Sequence, residues 1–401
     1  MKKKILFIGI TMNCAGSEKS FLSFINTLDL DKYEVDLLLA KKEGLFMSSL
    51  PEGINVLDMG HFGEVFKLSS KNAFRLIFNT YIKKNPLYAF DILPYFTGLI
   101  LFKKKRVRIA TKMWIHLMNK MPAVQKEYDV AVAYWGDRTM FYMVDKVKAK
   151  QKITWLHFDY SFPKRDNDIY LPYFVKCDKI VNVSTVVDDA LKRELPSLSD
   201  KCVVIENINN PVLIEKMSRE GKGFEDIFDG TRILTVGRIA DQKGYDLAIP
   251  ALKKLIDDGF NVRWYILGGA DDDYADYIKG LVRENSLEDR FIFLGTTPNP
   301  YTYLAECDIY AQPSRYEGKP IAVEEAKIMK KPILVSRYLS AEEQLECGKL
   351  GVVCDISIDG IYGGLKALIE NKNLREAYVK ELSSRDFSNR NEIDKFYAFI
   401  V

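Results

Sequence analysis

The chain has 401 residues, 47% of them hydrophobic and 28% charged, with 58 basic against 55 acidic side chains. That composition excludes a disordered, collagenous or disulfide-framework chain, and the length predicts two or more domains with ample core. The formal net charge of +3 argues against nucleic acid or an anionic membrane as a partner, although a net conceals its distribution.

Residues 2–4 are lysines and residues 5–10 an apolar run. The run is too short for a signal-peptide core and reads as a first buried strand. A turn holding Gly16 leads into an amphipathic helix over 17–28, followed by strands at 33–39 and 54–57. Residues 61–127 carry helical patterns and no clear strand, which predicts a helical insertion. Strands resume at 130–134, 152–156, 180–183 and 203–205. Such alternation points to a mostly parallel sheet covered by helices on both faces. The polar stretch 207–230 reads as a linker, broken at Asn209, Asn210 and Pro211. The pattern then restarts: a strand at 233–236, a helix over 245–257, and strands at 262–267, 291–294, 309–311, 333–335 and 351–353. Two α/β units, bounded at 1–208 and 209–385, predict two Rossmann-like domains facing across a cleft.

Six cysteines without a C-x-x-C pair and only three histidines argue against a structural zinc site or a disulfide framework. No apolar run approaches the roughly 20 residues a spanning helix needs. The expectation is a cytoplasmic chain, soluble or peripheral at the inner face of the cell membrane.

Gly237-Arg238-Ile239-Ala240-Asp241-Gln242-Lys243-Gly244 follows directly on the strand at 233–236. A glycine turn between strand and helix offers backbone N–H groups to an anion, and Arg238 and Lys243 add two cations at the same mouth. A pyrophosphate suits that arrangement, and so does an ordinary turn with two solvated charges. Further on, Glu317-Gly318-Lys319-Pro320 runs into Ile321 and, eight residues after Glu317, Glu325. Pro320 suits a first helical position. Both glutamates can face the cleft, where a carboxylate accepts from vicinal hydroxyls of a sugar or ribose. The amides of Gly318, Lys319 and Ile321 add donors at the positive helix end. Glu324 reads as a plain complement to the helix dipole.

The 317–325 segment resembles the E-x7-E signature of retaining glycosyltransferases of the GT-B fold. With Gly237-Arg238 and Lys243-Gly244 upstream, residues 231–355 resemble glycosyltransferase family 4. The resemblance implies that Arg238, Lys243 and Gly237 hold the diphosphate of a nucleotide sugar, most naturally a UDP-sugar. It implies that Glu317 contacts the transferred sugar or the catalytic centre, that Glu325 binds the ribose, and that the loop after Gly295 lies against the base. The terminal segment, 386–401, would cross back to the first domain. The family usually has two glycines where this chain has Ala15 and Gly16, and by resemblance that loop faces the donor phosphates or the acceptor. The family assigns no agreed protein nucleophile. No cofactor is implied, and the two cations can replace a metal. Asp271-Asp272-Asp273 follows a glycine turn and reads as an acidic helix start rather than a metal motif.

His157 ends the strand at 152–156, where ligands bind in parallel sheets. A lone histidine is more often structural, but this one stands at the family's cleft-histidine position and is a catalytic candidate. Asp137, after the strand at 130–134, and Asp159 are candidate acceptor contacts. The implied function is retaining transfer of a sugar to a saccharide or lipid-linked saccharide in cell-envelope polysaccharide synthesis. The alternatives are a nucleotide-sugar 2-epimerase of the same fold and a non-catalytic sugar-nucleotide-binding subunit. A dehydrogenase is disfavoured, because no G-x-G-x-x-G follows the first strand.

Charge returns at the insertion. Residues 61–127 hold thirteen basic and three acidic side chains, a local excess of ten, so the remainder is acidic by seven. The apolar stretch 87–102 runs into Lys103, Lys104, Lys105, Arg106 and Arg108, with Lys112 beyond. This reads either as an interfacial patch for anionic lipid or as a buried helix with a solvated charge run.

Overall fold

The computed structural model describes residues 2–13, 16–67, 73–270 and 272–400, without the side chains of Lys67, Asp272 and Asp273. Seven strands build the first sheet: β1 (Lys3–Gly9), β2 (Tyr33–Leu39), β3 (Asn55–Asp58), β4 (Tyr128–Ala133), β5 (Ala149–Leu156), β6 (Lys179–Asn182) and β7 (Cys202–Val204). Six build the second: β8 (Thr231–Val236), β9 (Val262–Leu267), β10 (Phe291–Gly295), β11 (Ile309–Gln312), β12 (Ile333–Ser336) and β13 (Val352–Cys354). The orders are β3-β2-β1-β4-β5-β6-β7 and β10-β9-β8-β11-β12-β13, and all the pairings are parallel. The two-unit α/β reading holds.

Both sheets are buried on both faces, and the strand pleat divides their side chains accordingly. In β1, Ile5 and Phe7 enter one core while Leu6 and Ile8 enter the other. The described residues between 61 and 127 are mostly helical, as expected, with their longest helices at Tyr88–Leu101 and Arg106–Asn119. Trp114, Leu117 and Met118 seat the second of these on the first sheet. The other face of that sheet carries Ile393, Phe396 and Ile400, so the Glu392–Tyr397 helix packs on the first domain.

The 207–230 stretch is not a free linker. It contains a helix, Pro211–Met217, whose Ile214 is buried with Leu234, Tyr265 and Tyr310 in the second domain. Asn210 caps that helix by accepting from the Leu213 amide, and Pro211 occupies its first turn. The residues read as a break are a helix start. Two chain crossings join the domains, and Asn389 laces them together. Its Oδ1 accepts from the Asn209 amide at 2.7 Å and its Nδ2 donates to the Asn207 carbonyl at 3.0 Å.

In each sheet the strand order reverses beside its first strand, between β1 and β4 and between β8 and β11. The carboxyl ends of strands at such a reversal form a crevice where ligands bind. Here the two crevices face each other.

Candidate functional site

A cleft of about 580 Å³ lies between the two crevices. From the first domain, Gly16, Ser17, Glu18, Lys19, Trp135, His157 and Asn207 line it. From the second come Gly237, Arg238, Gln242, Lys243, Glu317, Lys319, Pro320, Ile321 and Glu325. Ten of the residues expected to form the site therefore share one cavity.

The second-domain wall is built on tight turns. Gly244 sits at φ +68°, and a Cβ there would stand 2.1 Å from the Pro313 carbonyl oxygen, so only glycine fits. That close approach brings the 237–244 loop against the segment after β11. Glu317 is buried and accepts four hydrogen bonds. They come from Lys243 Nζ at 2.7 Å, Ser314 Oγ at 2.7 Å, and the side-chain amides of Gln242 and Gln312, each at 3.1 Å. A carboxylate so saturated has its lone pairs committed. It is placed to orient Lys243 rather than to attack carbon. Arg238 is exposed at the cleft mouth and makes no hydrogen bond or ion pair among the described residues.

Glu325 is also buried. It accepts from Tyr301 Oη at 2.9 Å, and it is ion-paired at 2.5 Å with Lys19, which comes from the opposite domain. Lys19 lies 4.4 Å from the centroid of the Tyr301 ring. Glu324 is not merely a helix-dipole complement. It is buried against Lys327 at 2.8 Å and accepts from Gln344 at 2.8 Å, and although burial opposes ionisation, the cations of Lys327 and Lys319 hold its carboxyl low. Lys319 pairs with Glu206 of the first domain at 2.7 Å. Burial opposes its charge too, but Glu324 and Glu206 outweigh it and raise the ammonium.

The first-domain wall is largely neutral. His157 follows β5 directly, and desolvation pushes its imidazole down to about 3. Weak hydrogen bonds with the Tyr134 backbone and Asn207 oppose that shift. The ring lies parallel to Trp155 at 6.3 Å, and its Nε2 is buried without a hydrogen-bond partner. At neutral pH it is an uncharged donor and acceptor. Glu18 is buried on the same wall. Desolvation raises its carboxyl despite hydrogen bonds from Ser17 Oγ at 2.7 Å and Thr11 Oγ1 at 3.3 Å.

Four expected residues do not line the cleft. Gly318 closes the domain contact: a Cβ there would meet the His157 carbonyl oxygen at 2.5 Å. Gly295, at φ +77°, turns the chain so that Thr296 and Thr297 face the cavity instead. Asp137 accepts from Tyr170 Oη at 2.7 Å, and it is its neighbour Gly136 that lines the wall. Asp159 is buried, and its Oδ1 accepts from the Ser161 amide and hydroxyl at 2.7 and 2.6 Å. Both aspartates are held by local structure. Ala15 lies outside the described residues, as does Asp271, while a helix does begin at Asp272. No group of three or more His, Cys, Asp or Glu side chains suited to a metal occurs among the described residues.

Sequence reasoning missed Lys19, Glu18 and Asn207. Lys19 follows the glycine turn on the first turn of its helix, which was the available signal. Asn207 was hidden in the stretch read as linker.

Residues 225–384 match the family described as glycosyl transferases group 1. The chain is 27% identical over 187 residues to the N-acetylgalactosamine-N,N'-diacetylbacillosaminyl-diphospho-undecaprenol 4-alpha-N-acetylgalactosaminyltransferase of Campylobacter jejuni, covering 46% of this chain and 49% of that protein. It is 23% identical over 184 residues to the capsular polysaccharide biosynthesis glycosyltransferase CapM of Staphylococcus aureus, covering 42% and 46%. The chain thus spans about half the length of the curated relatives it matches. Among solved structures, Anabaena Alr3699/HepE in complex with UDP-glucose superposes with a TM-score of 0.69 at 15% identity, over 99% of this chain and all of that one. The fold is therefore GT-B, and residues 225–384 are similar to the glycosyl transferases group 1 family.

Proposed function

We propose that this chain transfers a sugar from a nucleotide sugar, most naturally UDP-linked, to a saccharide or lipid-linked saccharide acceptor, with retention of anomeric configuration, in envelope polysaccharide synthesis. The observation that carries the reading is the second-domain wall: Arg238 free, Lys243 aimed by a buried Glu317, and Glu325 in one cavity. The Campylobacter relative, named for a diphospho-undecaprenol substrate, and the Anabaena structure with UDP-glucose support the acceptor and donor classes.

In this reading Arg238 and Lys243 take the charge that develops on the departing diphosphate. Lys243 has three N–H donors, so it can keep Glu317 and still reach a phosphate oxygen. Glu325 holds the ribose hydroxyls once Lys19 has moved aside. The neutral His157 donates to or accepts from a hydroxyl of the transferred sugar and brings no charge to the centre. No protein nucleophile is assigned. The acceptor attacks the face that the diphosphate leaves, and the two cations serve without a metal.

The test is incubation with a panel of UDP-, GDP- and ADP-sugars, with and without chelator, reading nucleotide release and the anomeric configuration of the product by NMR. Release of one nucleotide from wild type, lost in Arg238→Ala and Lys243→Ala, supports the reading. Epimerised free nucleotide sugar would replace transfer by epimerisation. Binding without turnover would leave a sugar-nucleotide receptor.

A further inference from the structure

We propose that the outer face of the Tyr88–Leu101 helix, with the turn of lysines after it, is a docking surface for an anionic lipid bilayer. The surface is argued from its own composition and holds whatever the cleft binds.

The helix is apolar on both sides. Ile92 is buried and Tyr95, Phe96 and Leu99 pack against the first-domain core. The opposite stripe at helical spacing is Phe90, Leu93, Thr97, Ile100 and Leu101. Phe90 is 75% exposed, Ile100 69% and Leu101 70%, and Leu87 and Phe102 extend the stripe at either end. Phe74, also exposed, packs edge-on against Phe96 at 6.0 Å and stacks on Phe78 at 6.3 Å, which widens the patch. A contiguous exposed apolar patch of this kind marks a contact surface on a folded protein.

Charge says which contact. The stripe runs directly into Lys103, Lys104 and Lys105, all exposed and without an ion pair among the described residues. The cations that do have partners lie elsewhere: Lys120 holds Asp91, the helix's one acid, at 3.0 Å, and Arg108 holds Asp166 at 2.8 Å. Free lysines beside bulky apolar side chains match the two layers of an anionic membrane surface. A second copy of this chain would bring no free acid from this helix to answer the lysines, since Asp91 is already held by Lys120. The helix has 14 residues, about 21 Å of rise, so it is suited to lie in the interface plane. No described helix is long and apolar enough to cross.

The experiment is co-sedimentation of the full chain with vesicles of phosphatidylcholine alone and of phosphatidylcholine mixed with phosphatidylglycerol. Wild type should bind the mixed vesicles far more tightly and release at high salt. Replacing Lys103, Lys104 and Lys105 together by glutamine should weaken that binding roughly a hundredfold, at about tenfold or less per lysine, and flatten its salt dependence. Phe90→Ser, Leu93→Ser and Ile100→Ser together should weaken binding at least a hundredfold at any salt. All six side chains are exposed, so thermal unfolding should stay unchanged and certify the variants as folded. Wild type left in the supernatant with both vesicle types would overturn the proposal, as would either variant binding like wild type. A wild-type dimer that the serine variant converts to monomer, with no vesicle binding, would assign the face to a second copy instead.

Discussion

At the centre of the second-domain side of the cleft a charged pair is fixed by partners from the same domain, while Glu325 and Lys319 are answered from across the gap by Lys19 and Glu206. Glu317 meets Lys243, Gln242, Gln312 and Ser314 without help from across the gap. On the first-domain side, polar groups are neutral or neutralised. Ser20 bridges Tyr134 and Asn207 in a buried network at 2.7 Å each, His157 is held uncharged, and Glu18 is raised by burial. The first domain's cation, Lys19, is engaged with Glu325 opposite. The difference teaches a division of labour. A preorganised wall of cations and N–H groups suits a diphosphate, because its dipoles need no rearrangement when charge develops. An uncharged wall suits sugar hydroxyls and an acceptor, which need directed hydrogen bonds.

The largest effect should come from breaking the preorganised wall at its centre. Glu317→Ala leaves the half-buried Lys243 ammonium and the buried Ser314 hydroxyl without their acceptor, while Gln242 and Gln312 keep the Tyr316 carbonyl and Ser314 Oγ, which should cost about 3 kcal/mol of stability. Donor turnover should fall by roughly a thousandfold. Urea unfolding and nucleotide release read the two effects on one sample. Unchanged stability would mean that the four hydrogen bonds are dispensable and that the wall is less rigid than its geometry implies.

Arg238→Ala isolates the electrostatic part, since Arg238 holds nothing in place. Turnover should drop on the order of a hundredfold while thermal unfolding stays within about 0.5 kcal/mol of wild type. A loss of both would show a structural role on the very wall where charge is read as functional.

The two walls also differed in what the sequence disclosed. Gly237, Arg238, Lys243, Glu317 and Glu325 sit in two short segments, each placed by a strand followed by a turn, so local pattern located them. The bonds between walls join distant positions: Lys19 to Glu325, Glu206 to Lys319, and the Glu343 carboxylate to the amides of Thr185 and Val186. No local periodicity encodes such pairs. Gly318 looked like an anion-binding amide, whereas its missing Cβ is needed for contact with His157 across the domains. Asp137 and Asp159 were placed at the sheet mouth by position, but position in a strand end does not say which way a carboxylate turns. The Pro211–Met217 helix was hidden because cap residues and linker residues are the same types.

The neutral wall can be tested through pH. A histidine whose folded value is about 3 binds its proton more readily unfolded, near 6.5. Stability is therefore lost as pH falls below about 6.5, and the slope persists toward pH 3. His157→Gln cannot titrate, so its unfolding free energy should decline less between pH 6.5 and 4, by up to about 3 kcal/mol. Parallel slopes would mean that the imidazole is solvated and that the first-domain wall carries charge at acidic pH.

The smallest effect probes one of the bonds between the walls, the pair of Lys19 with Glu325. Lys19→Met removes a cross-cleft ion pair and the contact of its ammonium with the Tyr301 ring, while the pairs at Glu206 and Glu343 remain. Stability should change by about 1 kcal/mol. Glu325 would keep only Tyr301 as a partner and would meet ribose hydroxyls with no ion pair to displace, so the donor KM should fall by roughly two- to fivefold. Steady-state kinetics against the donor measures it. A KM that rises instead would place Lys19 in contact with the donor. The first domain would then supply charge to the nucleotide sugar, and the separation between a cationic wall and a neutral one would fail at that residue.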